Sequence, residues 1–231
     1  MSVDLSTTYL GLKLPTPLVI AACPIGQNTD WLKRLEEGGA SAAVLPSLFE
    51  EQIEYEDFEL SSATERGSEY YAEHSQWFPE PAEYRAGPQE YLDLIGKAKK
   101  AVSMPIIASL NGTSEGGWIR YAKLVQDAGA DALELNIYYL ATDLDTTALD
   151  VERQYLDLVA AVKDSVGIPL AVKVGPYFSA MGNMAKRLVE AGDVGLIYLR
   201  KAVADMPDPI AEETVKILAE LPDARSLPLF I

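Results

Sequence analysis

The most constraining feature of this chain is what precedes each of its short apolar runs. Four runs begin directly after a proline: Pro17-Leu18-Val19-Ile20, Pro105-Ile106-Ile107-Ala108, Pro169-Leu170-Ala171-Val172 and Pro228-Leu229-Phe230-Ile231. Three others, Ala42 to Ser47, Ala132 to Ile137 and Val194 to Leu199, follow the glycine-bearing segments Glu37-Gly38-Gly39-Ala40, Asp127-Ala128-Gly129-Ala130 and Glu190-Ala191-Gly192-Asp193. Proline suits a first strand position, where no ladder donor is needed, and glycine suits the left-handed residue that closes a helix. Strands of two alternating types, separated by segments of helical period, predict βα units around a parallel sheet. The expected fold is a (β/α)₈-type barrel, the TIM architecture, incomplete at about seven strands because the eighth would fall beyond Ile231.

Helices between the strands are marked by apolar spacing at Trp31/Leu32/Leu35, Leu92/Ile95/Val102, Trp118/Tyr121/Val125, Val151/Tyr155/Val159/Val162 and Met184/Leu188, with a weaker one over 208–220. Thr8 to Leu14 reads as a small N-terminal hairpin that closes the bottom of the barrel. Residues 50–87, acidic at the start and aromatic and proline-bearing at the end, read as an insertion after the second strand. Its acidic run and His74 are read as a solvated face. Residues 1–231 then form one barrel domain.

A formal charge of −16 repels phosphate backbones and anionic lipid, so nucleic acid and membrane surfaces are not expected partners, and a small-molecule substrate is. No run of about 18 apolar residues predicts a membrane span, and the single cysteine, Cys23, excludes an internal disulfide framework. A cytoplasmic protein without a metal site is the expectation. An unclosed barrel exposes sheet edges, which predicts a homodimer or a swapped oligomer.

Reactive groups of such barrels project from the carboxyl ends of the strands. In Leu133-Glu134-Leu135-Asn136-Ile137 the two-residue period puts Glu134 and Asn136 inside the barrel and the leucines and isoleucine against helices. Lys173, in Ala171-Val172-Lys173-Val174-Gly175, shares the inward parity. Glu134 and Lys173 can simply pair with each other; alternatively the ammonium stabilises developing negative charge or forms a Schiff base. Ser109, Asn111, Thr113 and Ser114 are candidate donors, with Ser114 best read as a helix cap. The small residues Ala21-Ala22-Cys23 admit either a flat ring against the backbone or close packing alone.

The opening Asp4-Leu5-Ser6-Thr7-Thr8-Tyr9-Leu10-Gly11-Leu12, the strand Leu133-Glu134-Leu135-Asn136, and Val172-Lys173 followed by Pro176 resemble, in order and spacing, the dihydroorotate dehydrogenases. Phe49-Glu50-Glu51-Gln52, Ser109-Leu110-Asn111-Gly112-Thr113 and Asn136-Ile137-Tyr138-Tyr139 resemble a divergent branch of that family. The resemblance runs to about residue 200 and implies an FMN-dependent flavoprotein oxidoreductase of pyrimidine biosynthesis, taking dihydroorotate to orotate. It implies cofactor contacts at Ala21, Ala22, Ser47, Ser109, Asn111, Asn136 and Lys173, with Lys173 beside the flavin pyrimidine edge, where an ammonium stabilises the reduced state. Lys173 and Asn136 become the implied catalytic pair.

Several positions depart from the family pattern. Pro46 replaces a lysine, Arg200 answers an asparagine, and Tyr139 stands where the family has its cysteine or serine base, although a phenol holds its proton near neutrality. The turns that hold the FMN phosphate would fall beyond Ile231. Two further readings are a non-catalytic or incomplete barrel subunit that needs a partner, and a Schiff-base aldolase using Lys173.

Overall fold

A computed structural model describes residues 3–50, 52, 88–112, 115–192 and 195–196, with backbone alone for 115–117 and 195–196. The insertion beyond Gln52, His74, Thr113, Ser114, Arg200, the 208–220 helix and the Pro228–Ile231 strand lie outside the described residues.

The chain opens with a two-stranded antiparallel hairpin, β1 (Thr7–Tyr9) and β2 (Leu12–Leu14). Its turn residues Leu10 and Gly11 both have positive φ, 53° and 74°, as a tight hairpin matching strand twist requires. Leucine is strained there, and burial of its side chain offsets the cost.

The remaining strands are β3 (Val19–Ile20), β4 (Ala42–Val44), β5 (Leu48–Phe49), β6 (Ile106–Asn111), β7 (Ala132–Ile137), β8 (Leu170–Val174) and β9 (Gly195–Leu196). They form one parallel sheet in the order β3-β4-β6-β7-β8-β9, with β5 also on β6. Spatial order follows chain order, which is how consecutive strands run around an α/β barrel. The intervening helices are α1 (Thr29–Glu37), α2 (Pro88–Ala101), α3 (Glu115–Asp127), α4 (Ala148–Ser165) and α5 (Met181–Gly192).

Two apolar layers separate cleanly by strand parity. Leu133, Leu135, Ile137, Val172 and Val174 pack outward with Ile95, Trp118, Val125, Val159 and Leu188 of the helices. Ala42, Val44, Ile107, Ala132 and Ala171 face the lumen, where Tyr9, Leu10 and Leu14 of the hairpin cover them. The expected plug at the barrel bottom is therefore present. Trp31 departs from its expected place on the inward face of α1. It is half-exposed, and the Arg34 guanidinium lies 5.1 Å from its ring centre.

The glycine-type boundaries close α1 and α3 by the same motif. Gly39 and Gly129 adopt φ of 100° and 98°. Ala40 N–H bonds Leu35 C=O and Ala130 N–H bonds Val125 C=O. One turn earlier, each helix also latches the loop before a proline-type strand. The Glu36 carboxylate accepts from the Ser103 N–H and hydroxyl and the Met104 N–H, and the Gln126 side-chain oxygen accepts from the N–H groups of Gly167 and Ile168.

The strand expected over Ala42 to Ser47 is interrupted. Val44 pairs with Ile107 and Leu48 with Leu110, so Leu45, Pro46 and Ser47 lie opposite only Ala108 and Ser109. This is a β-bulge, a natural place for a proline inside a sheet.

Replacing Glu36 or Gln126 by alanine should each cost about 1–2 kcal/mol in denaturant unfolding, because several backbone donors lose their acceptor. The two costs should add, since the latches share no partner. They should differ in pH response. The Ser103 hydroxyl, then the Met104 and Ser103 N–H groups, hold the Glu36 carboxyl below its ordinary 4.5. Its contribution is present above that value and lost as pH falls through the depressed one, whereas the Gln126→Ala cost should persist into acid.

Candidate functional site

Register pairing stacks the lumen side chains in layers. Above the apolar floor, Ser109 and Glu134 are register partners, and Glu134 in turn pairs with Ala171. One layer nearer the strands' carboxyl ends, Phe49 pairs with Asn111, Asn111 with Asn136, and Asn136 with Lys173. At the rim, the rings of Tyr177 and Tyr138 lie 3.5 and 3.7 Å from where a Cβ on Gly175 would stand.

A polar chain crosses these layers. The hydroxyls of Ser47 and Ser109 are 2.8 Å apart, the Ser109 hydroxyl donates to Glu134 Oε1 at 3.3 Å, and Lys173 Nζ lies 3.9 Å from the same oxygen. Glu134 is 5% exposed and Asn136 8%, while the Lys173 side chain, at 24%, reaches toward solvent. Burial pushes the Glu134 carboxyl above its ordinary value; the Lys173 ammonium and the Ser109 hydrogen bond oppose that push. The ion-pair reading of Glu134 with Lys173 matches this geometry, with the lysine end of the pair partly exposed.

Asn136 Oδ1 is buried with no hydrogen-bond partner. A buried carbonyl oxygen left unpaired is costly, and its place beside Lys173 marks it as an acceptor awaiting a donor.

The structure thus groups Ser47, Ser109, Asn111, Asn136 and Lys173 in the lumen. Ala22 packs on the lumen floor cluster and Ala21 is exposed beyond the end of β3. Tyr139 does not join this group: its side chain packs on the helix-side layer and its N–H bonds the Tyr155 hydroxyl at 3.0 Å. Strand parity is the reason, because residue 139 continues the outward series of 133, 135 and 137. Tyr138 takes the rim position instead.

Tyr91 escaped the sequence reading. Its hydroxyl donates to the Ser109 C=O at 3.1 Å and accepts from the Ser109 N–H at 2.8 Å. Both groups point toward the strand containing Pro46; the Leu48–Leu110 register gives the C=O a ladder donor in the Leu48 N–H, and the bulge leaves the N–H without a ladder acceptor. Pro46 within an apolar run was the available signal. At Gly112, where β6 ends, a Cβ would collide with the Trp118 ring and the Glu50 side chain, so glycine is required there for close approach. No metal-binding cluster of histidine, cysteine or carboxylate residues occurs among the described residues, and no described helix is long and apolar enough to cross a membrane.

Among curated proteins, the chain has several distant relatives. It is 26% identical over 208 residues to the "Dihydroorotate dehydrogenase B (NAD(+)), catalytic subunit" of Thermoplasma volcanium, covering 87% of this chain and 64% of that one. The protein of that name from Methanocaldococcus jannaschii is 26% identical over 206 residues, with 84% and 62% covered. The chain is a distant relative of the dihydroorotate dehydrogenases. The "NAD-dependent dihydropyrimidine dehydrogenase subunit PreA" of Escherichia coli K12 is 24% identical over 207 residues, 84% of this chain and 47% of its own length. This chain spans less than two-thirds of the length of the curated relatives it matches. No family model matches it.

Among solved structures, a dihydrodipicolinate synthase of Bacillus anthracis superposes with TM-score 0.55 at 15% identity, covering 96% of this chain and 62% of that one. The 4-hydroxy-tetrahydrodipicolinate synthase of Methylacidiphilum fumariolicum gives 0.53 at 15% identity, with 88% and 58% covered. At such identity the likeness concerns the fold alone.

Replacing Glu134 by glutamine should expose the raised carboxyl directly. Between 4.5 and the raised folded value the native chain holds more protons than the unfolded one, so stability falls as pH rises through that window. The wild-type minus Glu134→Gln difference in unfolding free energy should decline across the window and then level; a difference that climbs with pH would mean the carboxyl is held low instead.

Proposed function

We propose that this chain is the flavin-binding barrel of an FMN-dependent oxidoreductase of the dihydroorotate dehydrogenase kind, with dihydroorotate as the first substrate to test. The observation that carries the reading is the pairing of Lys173 with Glu134 beside the unpaired Asn136 Oδ1 at the open end of the lumen. The pyrimidine edge of an isoalloxazine ring presents an N–H donor between carbonyl acceptors. Asn136 Oδ1 complements the donor, and the Lys173 ammonium complements a carbonyl, so the residues fit the group.

FMN, when bound, supplies the two-electron acceptor. The chain's own residues do the positioning. Lys173 carries positive charge to the mouth, where it favours a bound anionic state, and Glu134 beneath it fixes the direction of the ammonium. Ser109 holds the Glu134 carboxyl in turn. Asn111 and Asn136 add amide donors and acceptors in the same layer, and half-exposed Phe49 offers an apolar wall beside them. Tyr139, turned to the helix side, is left without a part in proton transfer.

FMN titration of the purified chain, followed by flavin fluorescence together with molecular size, tests the reading. Stoichiometric binding is expected, weakened about tenfold or more by Lys173→Ala as a charge-assisted hydrogen bond is lost. The bound flavin should bleach when dihydroorotate is added anaerobically. A folded chain that takes up no FMN would overturn the proposal in favour of a non-catalytic subunit. Borohydride trapping of a carbonyl substrate on Lys173 would overturn it in favour of aldolase chemistry.

A further inference from the structure

We propose that Tyr91 is a positioning residue for the lumen site, its hydroxyl replacing the missing ladder acceptor of the Ser109 N–H so that the Ser109 side chain stays within reach of Glu134. This deepens the functional reading above and rests on the lumen being the working site.

Three observations carry it. First, the bulge at Leu45, Pro46 and Ser47 removes regular pairing opposite Ser109, in the middle of an otherwise continuous strand. Second, a phenol fills the gap from α2, accepting from the Ser109 N–H that the ladder leaves unpaired and donating to the C=O of the same residue, so one oxygen holds both backbone groups. Tyr91 is only 3% exposed, so bulk solvent does not reach this place. Third, the same serine is where the polar chain turns, with its hydroxyl shared between Ser47 and Glu134. A shift of the Ser109 backbone by a few tenths of an ångström would stretch the 3.3 Å contact to the carboxylate beyond a hydrogen bond.

A helix on the outer face of the sheet thereby sets the geometry of a residue on the inner face. The serine passes that constraint on through Glu134 to Lys173. The groups that face Glu134 are the Lys173 ammonium from β8, the Ser109 hydroxyl from β6, the Tyr9 phenol from the hairpin and the Tyr91 phenol from α2. Of these, the Ser109 hydrogen bond is the one that depends on the bulge.

The test reads the Glu134 carboxyl itself, by carbon NMR titration of the FMN-free chain, so it can fail or succeed independently of flavin binding. Tyr91→Phe keeps the ring and its packing and removes the hydroxyl. Its expected effect is an upward shift of the Glu134 midpoint, in the same sense as Ser109→Ala, because either change withdraws the hydrogen bond that holds the carboxylate down. Tyr155→Phe is the control: it deletes an equivalent phenol-to-backbone bond, at Tyr139, that does not lead to Glu134. Here Glu134 should titrate as in the wild type. The proposal is overturned if Tyr91→Phe leaves the midpoint unmoved while Ser109→Ala raises it, or if Tyr155→Phe moves it equally. If Tyr91→Phe fails to fold, Tyr91→Trp and Ser109→Ala in the folded chain decide by the same comparison.

Discussion

In-register parallel pairing of residues 106–111, 132–137 and 170–174 is the constraint on which the site depends. Each hydrogen-bonded step places one side chain beside its neighbour at the same depth, so Ser109 must meet Glu134 and Asn136 must meet Lys173. A slip of one residue would send Glu134 into the helix layer and Leu135 into the lumen, at a cost no local contact could offset. Apolar burial on the outer face therefore holds the polar chemistry of the inner face in place.

The two faces are not independent. The outer layer is apolar and buried, yet it contains the Tyr91 and Tyr155 phenols, bonded to backbone groups of β6 and of the segment just after β7. Burial raises the proton affinity of both hydroxyls, which keeps them neutral and able to donate and accept at once. Latches from Glu36 and Gln126 secure the other end of the sheet, where loops enter the proline-type strands. Rigidity at the bottom and between layers leaves the strand ends free to carry variable chemistry, as barrels of this kind do.

The polar ladder also shows how a carboxylate is tolerated inside such a barrel. Glu134 is compensated from two sides, by a hydroxyl and by an ammonium whose far end reaches solvent. Asn136 is compensated on neither side at its oxygen. Satisfied groups below and an unsatisfied one above give the lumen a direction, with its interaction capacity at the open end.

Over the described residues, the amino-acid sequence by itself determined the strand and helix order, the hairpin plug and the inward parity of Glu134, Asn136 and Lys173. Proline, glycine and apolar period act within a few residues, so their consequences are local and can be read without coordinates. The Leu45–Ser47 bulge, the half-exposed Trp31 and the Tyr91 clamp were decided only by the tertiary structure. The bulge and the clamp depend on which backbone groups find partners across elements distant in sequence: Pro46 signals an interrupted ladder, but only the packing of α2 against β6 determines that a tyrosine hydroxyl completes it.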